Sequence, residues 1–390
     1  MDSSQVLVVN AGSSSLKVKL TPQGHSVVVE RLGSGATARD EAGPLAVTDV
    51  TTQAQALSFA LECLQKKTGY TEPRIVGHRV VHGGVRYRSP TLVDDEVEAG
   101  ISQLTKLAPL HNPANLEAMK AARALLPLAT HVAVFDTAFH ATLPRQAYLY
   151  GLPLDYARGM GLRRYGFHGT SHDFVTRRAA AVLDRSLTEL KLVSLHLGNG
   201  ASAAAVSAGK SVDTSMGFTP LEGLLMGTRS GDIDPGLIVH LLRSGKSVDE
   251  LDELLNRGSG LKGMSGVSHD MRDVRAAAAA GSEAATAALE LFTYRIKKLV
   301  GAYAAAMGGL DGVVFTGGIG ENDPATRSQS LQGLEFLGIE LDEASNAAGS
   351  TVISAAGSAA AVLVINTDEE GLIAADARAV ASSLAGEGVT

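Results

Sequence analysis

The chain has 390 residues, 45% of them hydrophobic, enough for more than one core, so two domains are expected. Lys and Arg number 34 against 41 Asp and Glu, a formal net charge of -7, and no basic run is interleaved with aromatics, which argues against a nucleic-acid partner. The single Cys63 cannot form an intramolecular disulfide, and the first residues lack the charged and apolar regions of a signal peptide, both of which favour the cytoplasm.

In chain order, the first segment is Val6 to Leu20, where two apolar β-type runs flank a turn of small residues, Asn10-Ala11-Gly12-Ser13-Ser14-Ser15. Such a turn offers backbone N–H groups and hydroxyls to a phosphate, with Asn10 at the strand's end, Gly12 free to take a positive φ, and Lys17 charged on the returning strand. An ordinary hairpin is the alternative. The first 50 residues read as strands with glycine turns, followed by an amphipathic helix over 52–67 that Pro73 ends. Buried strands are predicted at 74–81, 131–135, 192–197, 312–315 and 361–365, alternating with helices, so the chain reads as α/β with mixed sheets. Asn112-Pro113, Asp234-Pro235 and Asp323-Pro324 each place an N-cap before a proline, and Ser247-Val248-Asp249-Glu250 is a capping-box pattern. The apolar helix over 284–307 carries Glu290, Arg295, Lys297 and Lys298, which are costly in lipid, so it is expected in a core rather than a membrane. A boundary after Phe139 gives domains of 1–139 with 369–390 and of 140–368, the last helix, over 368–384, returning to the first.

Several of these segments carry candidate chemistry. Strand-to-glycine turns recur at Leu192 to Ser202 and Gly312 to Asn322, which points to a duplicated fold and one shared polyphosphate site in a cleft between the copies. Arg79 lies in a β-branched run and needs an anion, either a structural carboxylate or a substrate carboxylate or phosphoryl group. Arg229 sits in the glycine-flanked loop Met226 to Asp232 and reads as a second anion ligand or an ordinary loop arginine. Asp136 and the pair Glu369-Glu370 follow strands, where a metal ligand, a catalytic acid or a helix start are all open readings. His168 and His196 adjoin glycine turns and suit phosphoryl hydrogen bonding, unless they are satisfied core histidines. Two motifs are set aside. Ala204 to Ser211 matches a relaxed P-loop but is followed by a β-like stretch, so Ala208-Gly209-Lys210 reads as a hairpin tip. His168 and His172 lack the glutamate of a zinc hydrolase helix.

Together, Asn10 to Lys17, His78 to Gly84, Phe135 to His140, Arg164 to His172, His196 to Gly200 and Phe315 to Asn322 resemble the acetate kinase family over essentially the whole chain. The resemblance implies two ribonuclease-H-like domains of the actin, sugar kinase and chaperone ATPase type around a central cleft, with dimer contacts in the second. It implies ATP and ADP as co-substrate, Mg²⁺ (with Mn²⁺ able to replace it), acetate and acetyl phosphate, and a homodimer with no membrane partner. Carried over residue by residue, it places Asn10, Ser13, Ser15 and Lys17 in the first phosphate turn, and His196, Gly198, Asn199 and Gly200 in the second. Gly317, Gly318, Ile319, Gly320 and Asn322 fall to the adenosine site. Arg79, Asp136, His168 and Arg229 are the catalytic set, with Asp136, Glu369 and Asn10 serving the metal and Val81, Leu110, Phe167 and Pro220 enclosing a methyl group. Ala114 stands where a second proline is usual and Asp368 where asparagine is common.

The expected reaction is reversible transfer of the ATP γ-phosphoryl group to acetate. A propionate kinase would share nearly every motif. A nucleotide-switched binding protein of the actin or chaperone type is the alternative from another class, and a sugar kinase would use Asp136 as a base.

Overall fold

In the computed structural model, which describes residues 5–33, 35–69, 73–109 and 111–387, the run Val6-Leu7-Val8-Val9 is buried on both faces, as the centre of a sheet requires. The described residues fall into two units: one holds those up to Phe139 and those from Asp368 onward, the other His140–Thr367. Asp368 thus groups with the first unit, where Lys19 bonds its carboxylate at 3.1 Å.

In the first unit, β1 (Val6–Gly12), β2 (Ser15–Thr21), β3 (His25–Glu30), β4 (Thr37–Asp40) and β5 (Gly43–Leu45) form an antiparallel meander. β6 (Ile75–Val80), β7 (Thr91–Leu92) and β8 (Thr130–Phe135) extend it, giving the order β5-β4-β3-β2-β1-β6-β8-β7 with β1, β6 and β8 parallel. On β2 burial alternates, so Leu16, Val18 and Leu20 face the core while Ser15, Lys17 and Lys19 do not. The helices Gln53–Thr68 and Asn112–Leu125 cover one face of this sheet, and the helix Glu369–Glu387 covers the other with Ile373, Ala374 and Ala377 against Val6, Val8, Ile75, Val132 and Val134.

The second unit holds β9 (Lys191–Leu197), β10 (Ala201–Ser207), β11 (Lys210–Thr214), β12 (Gly312–Thr316) and β13 (Ala361–Val364) in the order β11-β10-β9-β12-β13. β10 is antiparallel to both neighbours, whereas β9, β12 and β13 are parallel. This repeats β3-β2-β1-β6-β8 strand for strand, the arrangement that a duplicated ribonuclease-H-like fold implies. The core helix is Glu283–Met307, and no helix among the described residues is long and apolar enough to cross a membrane.

Three local expectations are corrected. Gly12 does not adopt a positive φ; it ends β1 opposite Ser15, and a Cβ there would lie 2.7 Å from Ser15 Oγ, so space rather than backbone freedom selects glycine. Pro73 does not end the first long helix, which closes at Thr68 on Gly69 in the left-handed region with φ 59°. Asn112 is not an N-cap: it lies inside its helix, and its buried amide bonds both the N–H and the C=O of His82. Asp234, Asp323 and the Ser247–Glu250 box do cap their helices. The P-loop-like stretch is a hairpin, with Ala208 and Gly209 both at positive φ between β10 and β11.

Candidate active site

The parallel strands of the first unit end side by side, and each delivers a polar residue at its C-terminal end, where open α/β sheets bind ligands. The register sets Val9 beside His78 and Val80 beside Phe135, so Asn10, Arg79 and Asp136 become neighbours. Arg79 donates to both carboxylate oxygens of Asp136 (Nε to Oδ1 3.0 Å, Nη2 to Oδ2 2.7 Å) and through Nη1 to Asn10 Oδ1 at 3.2 Å. Glu369 Oε2, at the start of the last helix, lies 4.0 Å from Nη2. Burial weakens the Arg79 charge, but Asp136 and Glu369 outweigh it and hold the guanidinium protonated far above its ordinary range. Lys17 pairs with Glu370 at 2.6 Å, so of the two glutamates it is Glu369 that turns to the arginine.

This donor set fits a hard divalent cation. Asn10, Asp136 and Glu369 offer oxygen only, and a carboxylate with about four lone-pair sites retains acceptor capacity beyond two bonds from arginine. Among the described residues no group of three or more His, Cys, Asp or Glu is arranged as a metal site. Two carboxylates and an amide suit a divalent cation that keeps waters and takes substrate phosphates as its other ligands. Ser13 is exposed and Ser15 half-buried at the hairpin turn. Val81, half-buried after β6, donates its N–H to Asn115 Oδ1 at 3.0 Å. Leu110 lies outside the described residues.

In the second unit His168 holds the N-cap of the helix Gly169–Val182 in the left-handed region, φ 57°. Its ring centroid lies 4.3 Å from that of His196, whose Nδ1 bonds Ser171 Oγ at 2.7 Å. Gly200 brings His168 and Arg229 to one place, because a Cβ there would lie 3.5 Å from His168 Nε2 and 3.5 Å from Arg229 Nη1. The turn carrying it is tied by Gly198 N–H to Gly200 O and by Gly227 N–H to Asn199 O. Arg229 is half-buried, donates from Nη1 to Pro220 O at 3.3 Å and contacts Met226 Sδ, and has no acidic partner among the described residues. Burial alone pulls its pKa below the ordinary arginine value. Phe167 is buried, and its carbonyl accepts from His140 Nε2.

The third glycine turn starts at Gly317, with φ 77° and no room for a Cβ against the Leu197 backbone. Glu321 accepts from Gly317 N–H, Thr316 Oγ1 and Thr367 N–H, fixing the turn, while Asn322 Nδ2 donates to Gly318 O. Gly318 is exposed, Ile319 half-buried and Gly320 buried.

A model of the acetokinase family matches residues 5–375 of this chain. The chain belongs to the acetokinase family. It is 50% identical over 381 residues to a protein named acetate kinase from Clavibacter michiganensis subsp. michiganensis, covering 94% of this chain and 96% of that one. It is 47% identical over 388 residues to one of the same name from Bacillus subtilis, covering 96% and 98%. Among solved structures it is similar to the Porphyromonas gingivalis acetate kinase (TM-score 0.91, 43% identity, 97% of this chain and 100% of that one). It is also similar to a propionate kinase from Francisella tularensis subsp. tularensis (TM-score 0.90, 37% identity, 96% and 99%). As a member of the acetokinase family it is an enzyme, a phosphotransferase with a carboxyl group as acceptor, and the family implies ATP or ADP and a divalent metal.

Sequence reasoning passed over the residues that hold this acetokinase site in place. Gln53 Nε2 donates to Gly12 O (2.7 Å) and Ser15 O (3.3 Å), closing the first turn from below. Asn115 Nδ2 donates to Ala11 O at 2.6 Å, so Asn115 links the ends of β1 and β6. Arg327, 1% exposed, donates to Gly320 O, Glu321 O and Asn346 and braces the third turn. Asn115 alone had a visible signal, its place in His111-Asn112-Pro113-Ala114-Asn115; the others are polar residues three-dimensional packing makes important.

Proposed function

We propose that the chain catalyses reversible, Mg²⁺-dependent transfer of the γ-phosphoryl group of ATP to acetate, giving acetyl phosphate and ADP by direct in-line displacement. An acetate oxygen forms the new bond to the γ-phosphorus while the bond to the β,γ-bridging oxygen breaks and its electron pair leaves with ADP. A simple carboxylic acid such as acetic acid, with a pKa between about 4 and 5, is already ionised at neutral pH, so no general base is required. The task of the protein is to suppress repulsion between two anions and stabilise charge in a loose transition state.

The observation that carries this reading is Arg229, a partly buried cation beside His168 whose partners among the described residues are all neutral, which leaves its charge for an anionic ligand. Arg229 and His168 donate to the transferring phosphoryl group and Arg79 to the acceptor carboxylate. The two phosphate turns, with Asn10, Ser13, Ser15 and Lys17 in the first and His196, Gly198, Asn199 and Gly200 in the second, hold the polyphosphate. Gly317 to Gly320 and Asn322 hold the adenosine, and Val81, Leu110, Phe167 and Pro220 shape the methyl pocket. Asp136, Glu369 and Asn10 would hold Mg²⁺, which when bound neutralises phosphate charge.

Trapping acyl phosphate as hydroxamate, with acetate, propionate, butyrate or glycerol as separate acceptors, tests the reading. Acetate is expected to give the highest kcat/KM; no reaction with any carboxylate overturns it. The similarity to a propionate kinase supports a second reading in which propionate leads. One or two methylenes in such a pocket are worth only about 1–3 kcal/mol, so partial turnover of propionate is expected in either case. The same reading takes the enzyme as a cytoplasmic homodimer. The helix Pro235–Arg243 buries none of its residues and exposes Leu237, Val239 and Leu242, apolar surface on more than one side that a second copy could cover. Sedimentation as a monomer at micromolar concentration overturns that part.

A further inference from the structure

Behind His168 runs a line of alternating imidazoles and hydroxyls. His168 Nδ1 lies 2.9 Å from Ser202 Oγ, Ser202 Oγ lies 2.7 Å from His172 Nε2, and His172 Nδ1 lies 2.8 Å from Ser194 Oγ. Ser202, His172 and Ser194 are each 0% exposed. The hydroxyls come from neighbouring strands, Ser194 on β9 and Ser202 on β10, and His172 comes from the first turn of the helix that His168 begins.

The proton count leaves this line two consistent arrangements. His172 is held neutral, its pKa well below the ordinary histidine value through burial and the nearby His140 and His196, so it carries one ring proton. If that proton is on Nε2, it is donated to Ser202, whose own hydrogen must then turn to His168 Nδ1, and the His168 proton sits on Nε2. If it is on Nδ1, every bond reverses and His168 carries its proton on Nδ1, leaving Nε2 either a bare lone pair or the second N–H of an imidazolium. A lone pair would face the oxygens of an anionic ligand. An imidazolium would set a second positive charge beside Arg229, with which His168 flanks Gly200. Electrostatics therefore favours the first arrangement.

We propose that Ser202 and His172 are positioning residues that fix His168 as the Nε2–H tautomer, so that a neutral donor, already oriented, meets the transferring phosphoryl oxygen. This rests on the role given to His168 above. Among the described residues, Arg229, His196 and His140 are charged or titratable groups that face this line; Arg229 supplies the charge at the phosphoryl group while His168 supplies direction. The device spares the enzyme a second positive charge beside Arg229 and the pH dependence it would bring.

Nitrogen-15 NMR of the histidine rings, with the His168 signals assigned from their loss in His168→Gln, tests the tautomer in the unaltered enzyme at pH 7.5. The expected pattern is protonated Nε2 and bare Nδ1; an Nδ1–H or imidazolium pattern overturns the proposal. In Ser202→Ala the His168 signals are expected to shift towards mixed tautomers and kcat to fall about tenfold or more, with KM for ATP within about twofold. Ser211→Ala is the control, because it removes an equally buried hydroxyl, one that bonds His140 instead. Equal loss of kcat in Ser211→Ala, or an unchanged His168 spectrum in Ser202→Ala, shows packing alone and overturns the proposal. Normal kcat in His168→Gln instead removes the role of His168 in phosphoryl transfer, whatever tautomer the spectra show.

Discussion

Arg79 and Arg229 divide the work of handling charge in opposite ways. Arg79 is neutralised by Asp136 and oriented by Asn10, whereas among the described residues Arg229 has only neutral partners. Arg229→Ala is therefore expected to keep nucleotide affinity and lose on the order of 10² to 10³ in kcat, as removal of a transition-state donor commonly does; wild-type kcat would sink the mechanism. Gly200→Ala makes a finer test. Its Cβ would stand at ordinary contact distance from both His168 and Arg229, so thermal stability should hold while kcat drops, because a methyl group fills the place where their donors point. For the metal, Glu369→Gln is expected to raise the free Mg²⁺ needed for half-maximal rate well above that needed by Glu370→Gln. The reason is that Glu370 is occupied by Lys17 whereas Glu369 turns to Arg79. Equal metal dependence in the two variants would refute the assignment.

Elements matter here chiefly for where they stop. Helix and strand identities along the chain follow from patterns a reader can see: the period-two burial of β2, the prolines after Asp234 and Asp323, and the β-branched runs that become β6 and β8. Legibility ends where a side chain reaches a backbone group far along the chain. Asn112 looks like a cap because asparagine before proline usually is one, yet its amide is taken by His82, 30 residues away. Gln53 and Arg327 show no local pattern at all, since their value lies in carbonyls that only the folded chain brings to them. The candidate site was legible to the extent that glycine turns and strand ends mark it; that Arg79 meets Asp136 and Asn10 depended on strand register. Arg327→Ala tests the brace. It leaves carbonyls of the third turn and Asn346 unsatisfied, so unfolding free energy should fall by at least about 2 kcal/mol and KM for ATP should rise with KM for acetate unchanged. An unaltered KM for ATP would show that the turn keeps its shape without it.

For the molecule as a whole, histidines set the response to acid. His78, His82, His131, His140 and His172 are all held below the ordinary value of 6.5, first of all by burial, with His82 and His140 at about 4. The folded protein thus refuses protons that the unfolded chain accepts. Stability is full above about pH 6.5 and falls as pH drops towards 4, by up to ~1.4 kcal/mol per pH unit for each group titrating only in the unfolded chain. The expected result is a Tm that decreases steadily from pH 7 to pH 5; a Tm constant over that range would mean these rings are not held neutral.

The helix Glu369–Glu387 has a consequence for synthesis as well as for the finished fold. It covers one face of the sheet built from β1, β6 and β8, but emerges from the ribosome only after residues 140–367 have been made. At roughly 5–20 residues per second that interval lasts tens of seconds. Throughout it Val6, Val8, Ile75, Val132 and Val134 lack their cover, so nascent chains paused before Asp368 are the species in which holding chaperones should be found, and the domain begun first is the one finished last.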